Sequence, residues 1–246
     1  MDSPSKSEVQ TRDVSTTLNY TRIPSCEGLQ PIDLDHSQTE NRNVQREGIT
    51  DVRDVVIKDI RGREHEFTLD VQGFQYVKHQ VYGVTDWRDI AKVKQIVQPA
   101  TETLIKKATG ASEVFVYLTR TRFEGNDIGD KMTTPNSPSY GVHSDITLAS
   151  CRSVLKDLLT EAQIERLMGH RFMVVNVWRP VKPIQRDPLA VVISGQIFEF
   201  IFNQKHEWYY LNEQRPDEPL IFKQLSSDLA SKITLPPTLH LLIQII

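Results

Sequence analysis

The chain has 246 residues, of which 39% are hydrophobic and 25% charged, with a formal net charge of −3. A chain of that length and composition can bury a sizeable core and suits one domain of a large β fold. Its Lys and Arg are scattered rather than massed, which excludes a general attraction to nucleic acid or to an anionic membrane, and no apolar run nears the ~20 residues needed to span a bilayer.

Residues 1–16 are rich in Ser, Thr and charge and read as a disordered tail; 17–246 read as a single domain. From Thr17 to Gly48 the chain stays polar, with Pro24 and Pro31, and is expected to form an extended arm. VVIKDI (55–60), EFTL (66–69) and FQYVKH (74–79) are short β-type runs separated by the charged turn RGREHE and by Gly73. A helical segment is predicted over 86–109, capped by Asp86, with Trp87, Ile90, Val93, Val97, Leu104 and Ala108 recurring at helical spacing. Pro99 predicts a kink or two consecutive helices, and Gly110 ends the pattern. EVFVYLTRT (113–121) is β-branched and aromatic and reads as a central strand. Residues 124–140 read as a surface loop long enough to act as a lid.

YGVHSDITLA (140–149) then reads as a strand. Thr160 with Gln163 forms a capping box for a further helix, whose apolar face is Ile164, Leu167 and Met168 and which Gly169 stops. The remainder is rich in strand signals: RFMVVNVWRPV (171–181), LAVVISG (189–195), IFEFIFN (197–203), EWYYLN (207–212) and LIFKQL (220–225). Many short strands with few helices indicate a mainly β fold with flanking helices, a sandwich or jelly roll. The two cysteines, Cys26 and Cys151, lie far apart with no apolar leader ahead of them, so free thiols and a cytoplasmic location are expected.

His143-Ser144-Asp145 is the sharpest chemical motif. On a strand, residues i and i+2 share a face, so an imidazole and a carboxylate can converge on one metal ion. A second His from a distant strand would complete a 2-His-1-carboxylate triad, whose open positions suit Fe(II) that binds a co-substrate and dioxygen. The bland alternative is a hydrogen-bonded His beside a solvated Asp. Of the downstream histidines, His170 suits a helix C-terminus and His206 a turn. His240 has the separation of a distal ligand, and its alternative is a His within an apolar tail.

Several segments, in order, resemble the fungal hydroxylase/desaturase family of secondary-metabolite clusters: TLNY (17–20), 57–79, TGASEVFVY (109–117), GVHSD (141–145), RFMVVNVWRPV, PLAV (188–191) and HEWYYLNEQRPDEPLIFK (206–223). The resemblance implies a double-stranded β-helix (jelly-roll) core, Fe(II) and 2-oxoglutarate as co-substrate. It also implies hydroxylation or desaturation of a small-molecule biosynthetic intermediate, with no nucleic acid or membrane partner; oligomeric state is not legible. On this basis Asn176 bonds the co-substrate, a metal ligand or a structural partner. Arg179 or Arg171 pairs with the co-substrate's distal carboxylate or, alternatively, with Asp217 or Glu218. Tyr140 is a candidate pocket residue.

Two departures stand out. Only VISGQIFEFIFNQK separates PLAV from HEWYYL, where the family carries a longer insert. After FKQLSSD the family continues into a Pro-His segment with the distal iron ligand and then an arginine-bearing strand; this chain reads LASKITLPPTLHLLIQII, with no Arg beyond Arg215. The core is therefore expected to be incomplete at its C-terminal end, as if another reading frame or splice form supplied the tail. An active oxygenase with His143, Asp145 and His240 on iron competes with a truncated, inactive relative acting as a binding partner, and with a non-oxidative jelly-roll isomerase or cyclase.

Overall fold

The computed structural model describes residues 12–21, 50–122, 141–146, 148–193, 201–227 and 239–245. Two sheets carry the fold. In the first, β1 (Val14–Thr21) pairs antiparallel with β2 (Thr50–Asp59). β2 runs parallel to β7 (Glu207–Tyr210), which pairs with β6 (Val191–Ile193). β1 begins inside the stretch expected to be a disordered tail, because eight residues of register with β2 satisfy its backbone.

The second sheet has the order β3 (Phe74–Tyr76), β8 (Leu220–Ser226), β5 (Arg171–Trp178), β9 (Leu239–Ile245) and β4 (Glu113–Thr119). The C-terminal tail therefore lies inside the sheet, parallel to both β4 and β5. The predicted strand EFTL is instead a 3-10 turn at Glu64–Glu66 followed by turns, and the described part of IFEFIFN, residues 201–203, is not strand.

Helix α1 (Ile90–Thr109) runs unbroken through Pro99. Asp89, not Asp86, is its N-cap: the Asp89 carboxylate accepts from the Lys92 amide, while Asp86 accepts from the amide of Arg88. Gly110 closes it in the left-handed conformation at φ 72°, where a side chain would be strained. Val93, Val97, Leu104 and Ile105 of α1 are buried against Met173, Val175 and Val177 of β5, at about 1.5–3 kcal/mol for each fully buried side chain.

The opposite face of β5 has two neighbours. Phe172 and Val174 pack under α2 (Leu148–Leu158) and α3 (Glu161–Met168), with Cys151 and Leu155 of α2 in that cluster. No helix is expected from the sequence over Leu148–Leu158; the strand expected over 140–149 is instead a bent segment at 141–146 and, from Leu148, the start of α2. α3 has the capping box predicted at Thr160 and Gln163. Trp178, with Phe74 and Leu220 of the same sheet, shares a buried cluster with Val191 and Tyr209 of the first sheet, so the two sheets pack against each other there.

Candidate metal centre

His143 and Asp145 do not sit on a strand. Residues 141–146 form a bent segment whose only ladder contact among the described residues is a bridge from Gly141 to Asn19 of β1. The Val142 amide donates to the Asn19 carbonyl at 2.8 Å, which anchors the segment at its start. Gln224 anchors its other end, accepting from the Ser144 hydroxyl at 2.8 Å and the Asp145 amide at 3.2 Å. A bulge makes this possible: Val174 pairs with Leu225 and Val175 with Lys223, so Gln224 is the extra residue of β8. Bulges re-aim a side chain out of the regular alternation.

The two candidate ligands converge despite the altered backbone. His143 Nε2 lies 3.4 Å from Asp145 Oδ1, with side chains 46% and 21% exposed. His143 Nδ1 is 2.7 Å from the Gly141 carbonyl oxygen. A carbonyl can only accept, so Nδ1 carries the proton and the Nε2 lone pair is turned toward the carboxylate in the neutral ring. The other carboxylate oxygen, Oδ2, accepts from Asn176 Nδ2.

Charge balance follows from these contacts. The hydrogen bond to Asp145 raises the His143 pKa above its ordinary value against the opposing effect of burial. Burial pushes Asp145 up, but hydrogen bonds from His143 and Asn176 and the charge of Arg122 hold it below the ordinary carboxylate range. The pair thus favours a positive charge between Nε2 and Oδ1, whether a proton or a metal ion. The donor set fits a metal: an imidazole fixed in the ligating tautomer, and a carboxylate with one oxygen oriented and one offered.

Among the described residues no third His, Cys, Asp or Glu joins them into a metal-holding group. His240 pairs in register with Phe172 of β5, whereas Asn176, which holds Asp145, pairs with Gln244. Four residues of strand separate the two levels, about 13 Å.

The remaining candidates are placed differently. Asn176 is fully buried on the Phe172–Trp178 face and bonds a candidate ligand; its Oδ1 has no partner among the described residues. Arg171 and Arg179 alternate onto the other face of β5. Arg179 donates to the carbonyls of His79 and Pro216 and to the His79 ring, not to Asp217 or Glu218. Glu218 is taken up instead by Arg61, Lys78 and Arg215, which corrects the expected pairing. Tyr140 and the loop 124–140 lie outside the described residues.

Three residues near the site carried no expectation. Gln224 is one; a glutamine in the apolar run LIFKQL was the available signal. Tyr117 is the extra residue of a bulge in β4, and its hydroxyl is pushed up by burial and by the Asp145 charge. Arg122 follows β4, and its charge acts on both His143 and Asp145.

The family model described as an oxidoreductase/YMDC permease-like domain matches residues 18–195. The chain belongs to the fungal hydroxylase/desaturase family. It is 29% identical to the alpha-ketoglutarate-dependent dioxygenase phiK of a fungal species (strain ATCC 74256), over 72% of each chain. It is likewise 29% identical to the hydroxylase/desaturase efuI of Hormonema carpetanum, over 90% of this chain and 85% of that one. Among solved structures, the iron and alpha-ketoglutarate-dependent endoperoxidase NvfI superposes with a TM-score of 0.67 at 23% identity, covering 87% of this chain and 85% of that one, a likeness of fold. Despite the family's description, no helix among the described residues is long and apolar enough to cross a membrane.

Proposed function

We propose that the chain is an Fe(II)/2-oxoglutarate-dependent hydroxylase or desaturase acting on a small-molecule intermediate of secondary metabolism. In this reading the two packed sheets are the double-stranded β-helix core of such oxygenases. The observation that carries it is the His143–Asp145 pair, with Nε2 and Oδ1 3.4 Å apart and each ligand's remaining polar atom engaged. An iron bound there would supply oxidising power, drawn from dioxygen and the decarboxylating 2-oxo acid, to remove hydrogen from a C–H bond.

The chain's own residues do the rest. Gly141 fixes the His143 tautomer, Asn176 orients the carboxylate, and Gln224 holds the backbone of Asp145. Arg122, whose charge reaches both ligands, is the cation proposed to meet the co-substrate's distal carboxylate. Arg171 and Arg179 lie on the opposite strand face. Phe172, Val174 and Ile146 form a dry wall beside the pair, which keeps water from competing for reactive groups. His240 is the proposed third ligand, and it requires β9 to present the ring across the four-residue offset from Asn176.

That offset favours a second reading, a family member that keeps the scaffold with an incomplete metal site and serves as a binding protein. Conversion of 2-oxoglutarate to succinate separates the two. Fe(II)-dependent succinate release that is abolished by His143→Ala supports the oxygenase. Equal background release from both proteins contradicts it.

A further inference from the structure

A cavity of about 350 Å³ lies between α1 and the segment that follows β5. Its cations are Arg120, Arg122, Arg179, Lys182 and Arg186, and among the described residues no Asp or Glu lines it. Such a one-signed lining focuses field into the cavity and concentrates anions there. Arg179 is 7% exposed, and its Nε has no hydrogen-bond partner among the described residues. Burial pushes this guanidinium down to about 10, the mark of a cation that lacks a compensating charge. Arg120 and Lys182 have no ion pair among the described residues either.

The rest of the lining is apolar: Trp87, Val93 and Val97 on the α1 side, and Trp178 beside Arg179. A phosphate or a short diacid would leave that wall wet. A molecule with a hydrocarbon body and one carboxylate uses both surfaces, placing its acid group against the guanidiniums, whose fork geometry suits a carboxylate, and its body against the indoles. The volume suits a small molecule rather than a polymer. Arg122 lies on the cavity lining, and its charge is felt at His143 and Asp145.

We propose that this cavity binds an apolar carboxylic acid by its carboxylate, through Arg120, Arg179 and Lys182. A role of that ligand as substrate would rest on the oxygenase reading above; the binding itself does not.

The test is isothermal titration of the full, metal-free chain at low salt with 1-naphthaleneacetate, its methyl ester and 2-oxoglutarate. The acid is expected to bind saturably at one site and the ester about tenfold more weakly or worse. Arg120→Gln and Lys182→Gln should each weaken the acid about three- to tenfold with unchanged melting temperature. Equal binding of acid and ester, or wild-type affinity in both variants, would overturn the proposal. So would displacement of the acid by equimolar 2-oxoglutarate, which would make the short diacid the occupant. Because the titration uses no metal, its failure and a failure to bind Fe(II) are separate results.

Discussion

Replacing Asn176 by Leu should separate stability from metal binding. The substitution removes a hydrogen bond to a carboxylate, worth about 1.5–3 kcal/mol. It also removes Oδ1, a fully buried acceptor with no partner among the described residues, whose desolvation costs about 1–3 kcal/mol. The two nearly cancel, and Leu adds to the apolar surface of Phe172 and Val174 on the same strand face. Unfolding by urea should therefore shift by no more than about 2 kcal/mol. Metal binding has no such compensation. Asp145 Oδ2 loses the donor that fixes its carboxylate, and Fe(II) affinity, followed by anaerobic equilibrium dialysis, should fall about 10- to 100-fold. Wild-type Fe(II) affinity in a folded Asn176→Leu variant would refute the role given to this residue. A loss of several kcal/mol would refute the claim that the asparagine is retained for the site rather than for the fold.

Glu218 gives a pH-dependent test. Burial opposes its ionisation, but Arg61, Lys78 and the Arg215 amide hold it at about 2 against an ordinary 4.5. Its folded pKa is depressed, so its stabilisation is present above about pH 5 and is lost as pH falls toward 2. Glu218→Gln should cost up to about 3 kcal/mol at pH 7 and progressively less below pH 4, read by chemical denaturation at each pH; a pH-independent difference would contradict this. Gln224→Leu removes the acceptor for the Ser144 hydroxyl and the Asp145 amide, and should weaken Fe(II) binding more than it lowers the melting temperature. Thr160→Ala breaks the capping box of α3 and should cost about 1 kcal/mol in urea unfolding, with Fe(II) affinity unchanged.

Strands whose apolar alternation is dictated by a buried face were legible: 113–119, 171–178 and 207–210 fall within runs recognised as β, and 220–226 exceeds its run by one residue. The α3 capping box was legible because it is local chemistry, a hydroxyl and an amide three residues apart. Element ends depended on which of two carboxylates was closer to the first free amides, and so Asp86 was expected where Asp89 caps. EFTL has β-type residues but no partner strand, and pairing is not written in a single segment.

The site was half legible. His143 and Asp145 stood out as a pair, and their convergence survived the loss of the strand that was expected to cause it. Gln224 reaches the pair only because β8 carries an extra residue, and a bulge appears when two strands are laid side by side. The alternation in RFMVVNVWRPV set Asn176 apart from Arg171 and Arg179, and the faces they occupy follow from it. The placement of LHLLIQI between β4 and β5 depends on an open position in a sheet that no short-range pattern describes.

The central claim is that His143 and Asp145 anchor an iron that receives 2-oxoglutarate. Anaerobic titration of the full chain with Fe(II) and then 2-oxoglutarate tests it directly, read as the weak visible charge-transfer absorption of the ternary complex. The account predicts saturation near one equivalent of iron and loss of the band in both His143→Ala and Asp145→Ala. Absence of the band in the wild-type chain, or its persistence in either variant, would contradict it.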